Sequence, residues 1–131
     1  MDKKIISTAA FLGMLAVILG AFGAHALKKV LNIEQLSTFE TGVKYQMYHA
    51  LFLLFIGLTD KLSVKTKNQI FYLTTVGILM FSGSIYLLAT RNITNIDFSI
   101  IGIVTPIGGF FLISAWFLLF YRFITSKSQN L

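Results

Sequence analysis

Residues 39–58 read FETGVKYQMYHALFLLFIGL, and whether this stretch crosses a membrane decides between a bundle of three spanning helices and one of four. A helix rising 1.5 Å per residue needs about 20 predominantly apolar residues to cross a hydrocarbon core about 30 Å thick. The uncharged run at its heart, Tyr45 to Thr59, has only 15 residues. It reaches the required length if the helix starts at Phe39, which places Glu40 and Lys44 at the membrane surface. Ser37-x-x-Glu40 has the form of a capping box, in which hydroxyl and carboxylate satisfy the first orphan backbone donors. The segment is therefore read as a span of 20 residues. Asn32 is a second capping candidate, for a short interfacial helix in the preceding linker.

The other uncharged intervals qualify by length alone. Residues 5–27 and 68–90 each give 23 residues, and residues 98–121 give 24. The 131-residue chain is 56% hydrophobic and 12% charged, against about 45–50% and 25% for a soluble domain. The expectation is an all-α integral membrane four-helix bundle, a single domain over residues 1–131. Without cysteine, a disulfide scaffold and a thiol-ligated metal are excluded. Lys3-Lys4, the apolar run after it and Ala24-His25-Ala26 resemble a secretory signal. The run is longer than the 7–15 residues of a signal core, so it is read as a retained membrane helix.

The net charge of +6 comes from single cations scattered between apolar runs, a pattern of topology rather than of nucleic-acid binding. With four spans, the side holding both termini and the second loop carries Lys3, Lys4, Lys61, Lys65, Lys67, Arg122 and Lys127. The opposite side carries Lys28, Lys29, Lys44 and Arg91. Seven against four places both termini in the cytoplasm, with residues 28–38 and 91–97 outside.

Helices in lipid associate through close packing at small residues and through hydrogen bonds, since leaving lipid gains no hydrophobic free energy. Ala16-x-x-x-Gly20-x-x-x-Ala24, with Gly13 and Gly23 beside it, is a small-residue ridge expected to meet a neighbouring helix. In the fourth span, Pro106 cannot donate to the Gly102 carbonyl and its ring clashes there, so a kink is expected. Gly108 and Gly109 follow it. The third span carries Ser82, Gly83, Ser84 and Tyr86, whose hydroxyls are candidate donors to the freed carbonyl.

Ionisable residues at membrane depth are functional suspects. Glu40, Lys44 and Tyr48 share one stripe of the second helix, Tyr45 and His49 an adjacent one. With His25 they form a candidate polar cluster, expected at the outer end. Glu40 and Lys44 can pair at i,i+4. Two histidines and few carboxylates fall short of a zinc ligand set, no serine sits in a nucleophile elbow, and no cofactor is implied.

The motifs Gly20-Ala-Phe-Gly-Ala-His25-Ala-Leu27, Tyr45-Gln-Met-Tyr-His49-Ala-Leu51, Ser82-Gly-Ser-Ile-Tyr86 and Thr105-Pro-Ile-Gly-Gly109 occur in this order and spacing. Together they resemble the transmembrane-protein-256-like family, also called domain of unknown function 423, from the first helix to Trp116. The positions matching that pattern are Gly23, His25, His49, Gly83, Pro106, Gly108 and Gly109. The resemblance implies a four-helix membrane protein and carries no biochemical activity with it. The leading expectation is a non-enzymatic inner-membrane protein, either an accessory subunit of a larger membrane complex or a self-associating bundle. The alternative is transport of protons or a small polar solute through the outer polar cluster.

Overall fold

The computed structural model describes residues 2–94 and 100–126. Among them the elements are α1 (Asp2–His25), a 3₁₀ turn (Leu27–Lys29), α2 (Ile33–Leu58), α3 (Val64–Ala89), a one-turn α4 (Arg91–Thr94) and α5 (Ile101–Thr125), with no strand. The expected start of the fourth span at residue 98, the end of the third loop at Asp97, and Lys127 lie outside the described residues.

Short connections force successive helices to run antiparallel. α1 packs on α2, α2 on α3, and α3 on α5. The N-terminus, the α2–α3 turn and the end of α5 therefore share one end of the bundle. An ion pair between a buried lysine and an exposed aspartate ties that end together: the Lys67 Nζ donates to Asp2 Oδ1 at 3.1 Å, joining the first turns of α3 and α1.

The second helix starts earlier than residue 39. Asn32 is its N-cap: the Asn32 side chain accepts from the Gln35 N–H at 2.7 Å, while the Gln35 side chain accepts from the Asn32 N–H at 3.1 Å. This reciprocal box outcompetes Ser37-x-x-Glu40, because the residues between are also anchored. Leu31 and Phe39 are buried with Leu27 and Ala89 in a small cluster at the end of the bundle away from the N-terminus. Once residues 33–38 are helical, the Ser37 carbonyl is occupied within the helix and accepts from the Thr41 hydroxyl. The interfacial segment and the span are one helix of 26 residues, about 39 Å long.

Burial runs opposite to that of a soluble protein. Gln46, His49, Thr66, Thr74, Ser82 and Ser84 are buried, whereas Phe11, Val17, Phe22, Ile103, Phe110 and Phe117 lie on the outside. Apolar groups outside and polar groups inside, most of them hydrogen-bonded, are what a lipid solvent selects, with the Thr74 hydroxyl the exception in this set. α1, α3 and α5 are each long and apolar enough to cross a membrane. α2 matches them in length, with a more polar first half.

Small residues set the helix spacing. Ala9 and Ala16 of α1 are buried, a Cβ on Gly13 would lie 3.8 Å from the Ala50 Cβ, and one on Gly20 would lie 3.5 Å from Val43. The expected ridge therefore meets α2. It continues through Gly23, where an added Cβ would come within 3.1 Å of the Phe39 ring, and not through Ala24, which is exposed. The closest approach is between α3 and α5. A Cβ on Gly108 would collide with the Phe81 backbone nitrogen and lie 2.8 Å from the Met80 carbonyl carbon; one on Gly77 would lie 3.2 Å from the Gly108 oxygen. Gly109 is less tight, with Phe81 carbons at 3.5 and 3.6 Å, and Gly83 has nothing within 4 Å. Gly83 therefore plays no part in close packing.

α5 runs through Pro106 as one helix. The Ser84 hydroxyl pairs with the Thr105 hydroxyl and donates to the Phe81 carbonyl at 2.9 Å. The polar link from the third span thus reaches the residue before the proline rather than the Gly102 carbonyl.

Candidate functional site

Gly42, Gln46, His49, Leu53 and Ile56 recur at helical spacing along α2, and all five are buried. This stripe faces the other helices and carries the polar centre of the molecule. Gln46 bridges three helices. Its amide nitrogen donates to the Leu12 carbonyl of α1 at 2.8 Å, and its amide oxygen accepts from the Tyr86 hydroxyl of α3 at 2.6 Å. The acceptor-only carbonyl fixes which way the amide points. A backbone carbonyl has two lone pairs, so Leu12 can serve Gln46 without giving up its own helix bond.

Tyr86 sits near the C-terminal end of α3, yet its ring reaches the level of Gln46. Helical side chains lean toward the N-terminus, which for α3 is the opposite end. The ring passes directly over Gly42, where a Cβ would lie 2.7 Å from Tyr86 Cε1 and 3.0 Å from Ile85 Cγ2. Below it, the buried Ser82 hydroxyl donates to the Gly42 carbonyl at 2.7 Å. Phe39 packs on the other side of Tyr86, ring centroids 5.1 Å apart.

One turn further along α2, His49 is only 5% exposed. The Trp116 indole N–H of α5 donates to its Nε2 at 3.0 Å, and its Nδ1 lies 2.7 Å from the Tyr45 carbonyl. Indole nitrogen can only donate, so Nε2 must accept and Nδ1 must carry the proton. The arrangement fixes a neutral imidazole with both nitrogens satisfied, leaving no lone pair for a metal ion. Tyr45, His49, Phe81, Gly109, Leu112 and Trp116 line a recess of about 320 Å³ beside it. Tyr45 stacks on the His49 ring at 6.3 Å and forms the rim with Trp116.

The candidate polar cluster divides. Tyr45 and His49 come together at this recess. Glu40, Lys44 and Tyr48 point away from the bundle, with Tyr48 54% exposed, and His25 is exposed at the end of α1. Among the described residues, Glu40 and Lys44 form no ion pair with each other. The depth also differs from expectation. With α2 starting at Ile33, His49 is its residue 17 of 26 and Trp116 is residue 16 of 25 in α5. The His49 site lies past the middle of the bundle, away from the end that holds the 3₁₀ turn, where sequence reading places the cluster. Among the described residues, no three His, Asp or Glu side chains stand together as a metal site.

Sequence reading missed Gln46, Trp116 and Gly42 as members of the polar centre. The five-residue stripe offered a signal, since Gly42, Gln46 and His49 share the face of Leu53 and Ile56. Trp116 is 67 residues from His49, and no local pattern connects them.

The comparisons with known proteins agree with this architecture. A family profile described as "Protein of unknown function (DUF423)" matches residues 19–109, a stretch that contains Gln46, His49, Ser82, Tyr86 and Gly108. The chain is 43% identical over 117 residues to a UPF0382 membrane protein of Staphylococcus saprophyticus, covering 89% of this chain and 93% of that one. It is 41% identical over 119 residues to the UPF0382 membrane protein YwdK of Bacillus subtilis, covering 89% and 93%. It is 32% identical over 136 residues to the UPF0382 inner membrane protein YgdD of Escherichia coli, covering 98% and 95%. No solved structure matches the chain. A profile match across most of the helical bundle and full-length relatives that share its polar centre's segment lead to one assignment: this chain is a membrane protein of the DUF423 family.

Proposed function

We propose that the protein is a non-enzymatic component of a membrane assembly, an accessory or structural partner that docks through the outward face of α2. The observation carrying this reading is the stripe Glu40, Lys44 and Tyr48, which faces away from the bundle along the middle of α2. Charges turned toward lipid cost about 2.5–3.5 kcal/mol each at mid-span on insertion scales, less near the interface where long side chains snorkel. A neighbouring helix with opposite charges, from another subunit or a second copy, offsets that cost. The interior polar groups Gln46, His49, Ser82 and Tyr86 are by contrast paired with one another or with backbone, as befits groups that hold helices together. That pairing favours a structural over a catalytic role for them.

A photo-crosslinking amino acid replacing Tyr48 in cells should give protein adducts, whereas the same residue replacing Phe117, on the exposed face of α5, should give few. Adducts to lipid alone from both positions would remove docking as the function. The ground would then pass to the alternative, movement of protons or a small polar solute, with the His49 recess as its place.

The same reading puts both termini in the cytoplasm. Lys3, Lys4, Lys61, Lys65, Lys67 and Arg122 lie at the end of the bundle that holds the N-terminus, against Lys28, Lys29 and Arg91 at the other end. The positive-inside rule orients the bundle accordingly. The chain has no cysteine, so single introduced thiols report cleanly. Val30 and Val64 are both exposed at opposite ends, and neither side chain makes a capping hydrogen bond. Val30→Cys should react with an impermeant thiol reagent on intact cells and Val64→Cys should not; the opposite labelling would invert the topology.

A further inference from the structure

On the lipid-facing side of the bundle, α3 and α5 diverge around a groove of about 550 Å³. This lies within the range of ligand sites in proteins, roughly 300–1,000 Å³. Its lining is graded along the membrane normal. At the end that holds the N-terminus stand Gln69, Tyr72 and Arg122, and deeper in the membrane stand Leu73, Val76, Phe111 and Leu118. Arg122 is three residues from the end of α5 and Gln69 is in the second turn of α3, so the polar rim is at interfacial depth.

The rim is cationic, and among the described residues no acidic group compensates its charge. Arg122 forms no ion pair among the described residues, and its Nε is buried without a hydrogen-bond partner. Lys4 reaches the same rim from α1: its Nζ donates to the Tyr72 hydroxyl at 3.0 Å and lies 5.1 Å from the centre of that ring. Asp2, the acidic residue beside Lys4 in sequence, is held by Lys67.

From this gradient and charge we infer that the α3–α5 groove is a binding site for one anionic phospholipid, with its phosphate at Arg122 and the Lys4–Tyr72 pair and an acyl chain along Leu73, Val76, Phe111 and Leu118. Guanidinium presents a planar fork of donors matched to phosphate oxygens. Basic pockets between membrane helices recognise anionic headgroups in this way. A zwitterionic lipid fits the apolar part equally well but brings a choline cation to a rim that is already positive.

The test uses the full-length protein in neutral detergent, with dioleoyl phosphatidylglycerol and dioleoyl phosphatidylcholine as probes and lipid adducts counted by native mass spectrometry. The wild-type protein should retain the glycerol lipid at least about tenfold more tightly than the choline lipid. Arg122→Gln should abolish that preference while leaving retention of the choline lipid unchanged, and Arg122→Lys should keep part of it. Equal retention of both lipids by the wild type, or an undiminished preference in Arg122→Gln, overturns the assignment. Should Arg122→Gln not fold, Val76→Trp carries the test, because an indole at this exposed position fills the groove while leaving both cations, Arg122 and Lys4, in place. Retention of the glycerol lipid should then fall at least about tenfold, and unchanged retention overturns the assignment. Dimers that form in place of lipid adducts would show a second copy in the groove and also overturn it.

Discussion

Gly108→Ala should be the most destabilising single-methyl substitution in this protein. The new Cβ would collide with the Phe81 nitrogen and lie 2.8 Å from both the Met80 carbonyl carbon and the Met80 Cβ. Two of these three atoms are backbone, so no rotamer change relieves the clash and α5 must move away from α3. That movement also separates Gly77 from the Gly108 oxygen and disturbs the Ser84–Thr105 hydroxyl pair. Overpacking typically costs about 1–3 kcal/mol, occasionally more, and a rigid backbone contact puts Gly108 at the upper end. Gly83→Ala is the matched control, since nothing lies within 4 Å of its added Cβ. Replacing a mid-helix glycine there should stabilise by about 0.5–1 kcal/mol. Thermal unfolding in detergent, followed by circular dichroism, measures both. Similar midpoints for the two variants would mean that α3 and α5 are not in backbone contact at Gly108.

Gly42→Ala should also destabilise, and for a different reason. Its Cβ would meet the Tyr86 ring at 2.7 Å and the Ile85 side chain at 3.0 Å, so the ring must shift. The Tyr86 hydroxyl is bound to Gln46, which in turn holds Leu12 of α1. Displacing the ring therefore loosens the contacts of α2 with α3 and, through Gln46, with α1. A loss of about 1–3 kcal/mol is expected from the steric term. Ser82→Ala removes only the hydroxyl bond to the Gly42 carbonyl. Measured hydrogen bonds between membrane helices average about 0.6 kcal/mol, so its effect should be several-fold smaller. If Ser82→Ala proves as damaging as Gly42→Ala, the hydrogen bond rather than the close approach holds α2 to α3.

The amino-acid sequence alone carries the four long helices and their antiparallel order, and it marks α1, α3 and α5 as long and apolar enough to cross a membrane. Long uncharged runs have no other low-energy state in lipid, because a helix satisfies every backbone group internally. It also located the small-residue face of α1, since only residues without bulk allow two backbones to approach. The beginning of α2 was harder to read. Ser37-x-x-Glu40 and Asn32-x-x-Gln35 are both plausible caps, and the choice fell to burial of Leu31 and Phe39 against Ala89. Which faces turn inward was decided by tertiary structure alone. In water, hydrophobic periodicity marks the buried side of a helix, but in a bilayer both the neighbour and the solvent are apolar, so that pattern loses its direction. Glu40, Lys44 and Tyr48 could be read as gathering inside the bundle; the packing of Gly42, Gln46 and His49 against α1, α3 and α5 turned them out. The hydrogen bond between Trp116 and His49 closes across 67 residues, and only the stacking of α2, α3 and α5 brings its two halves together.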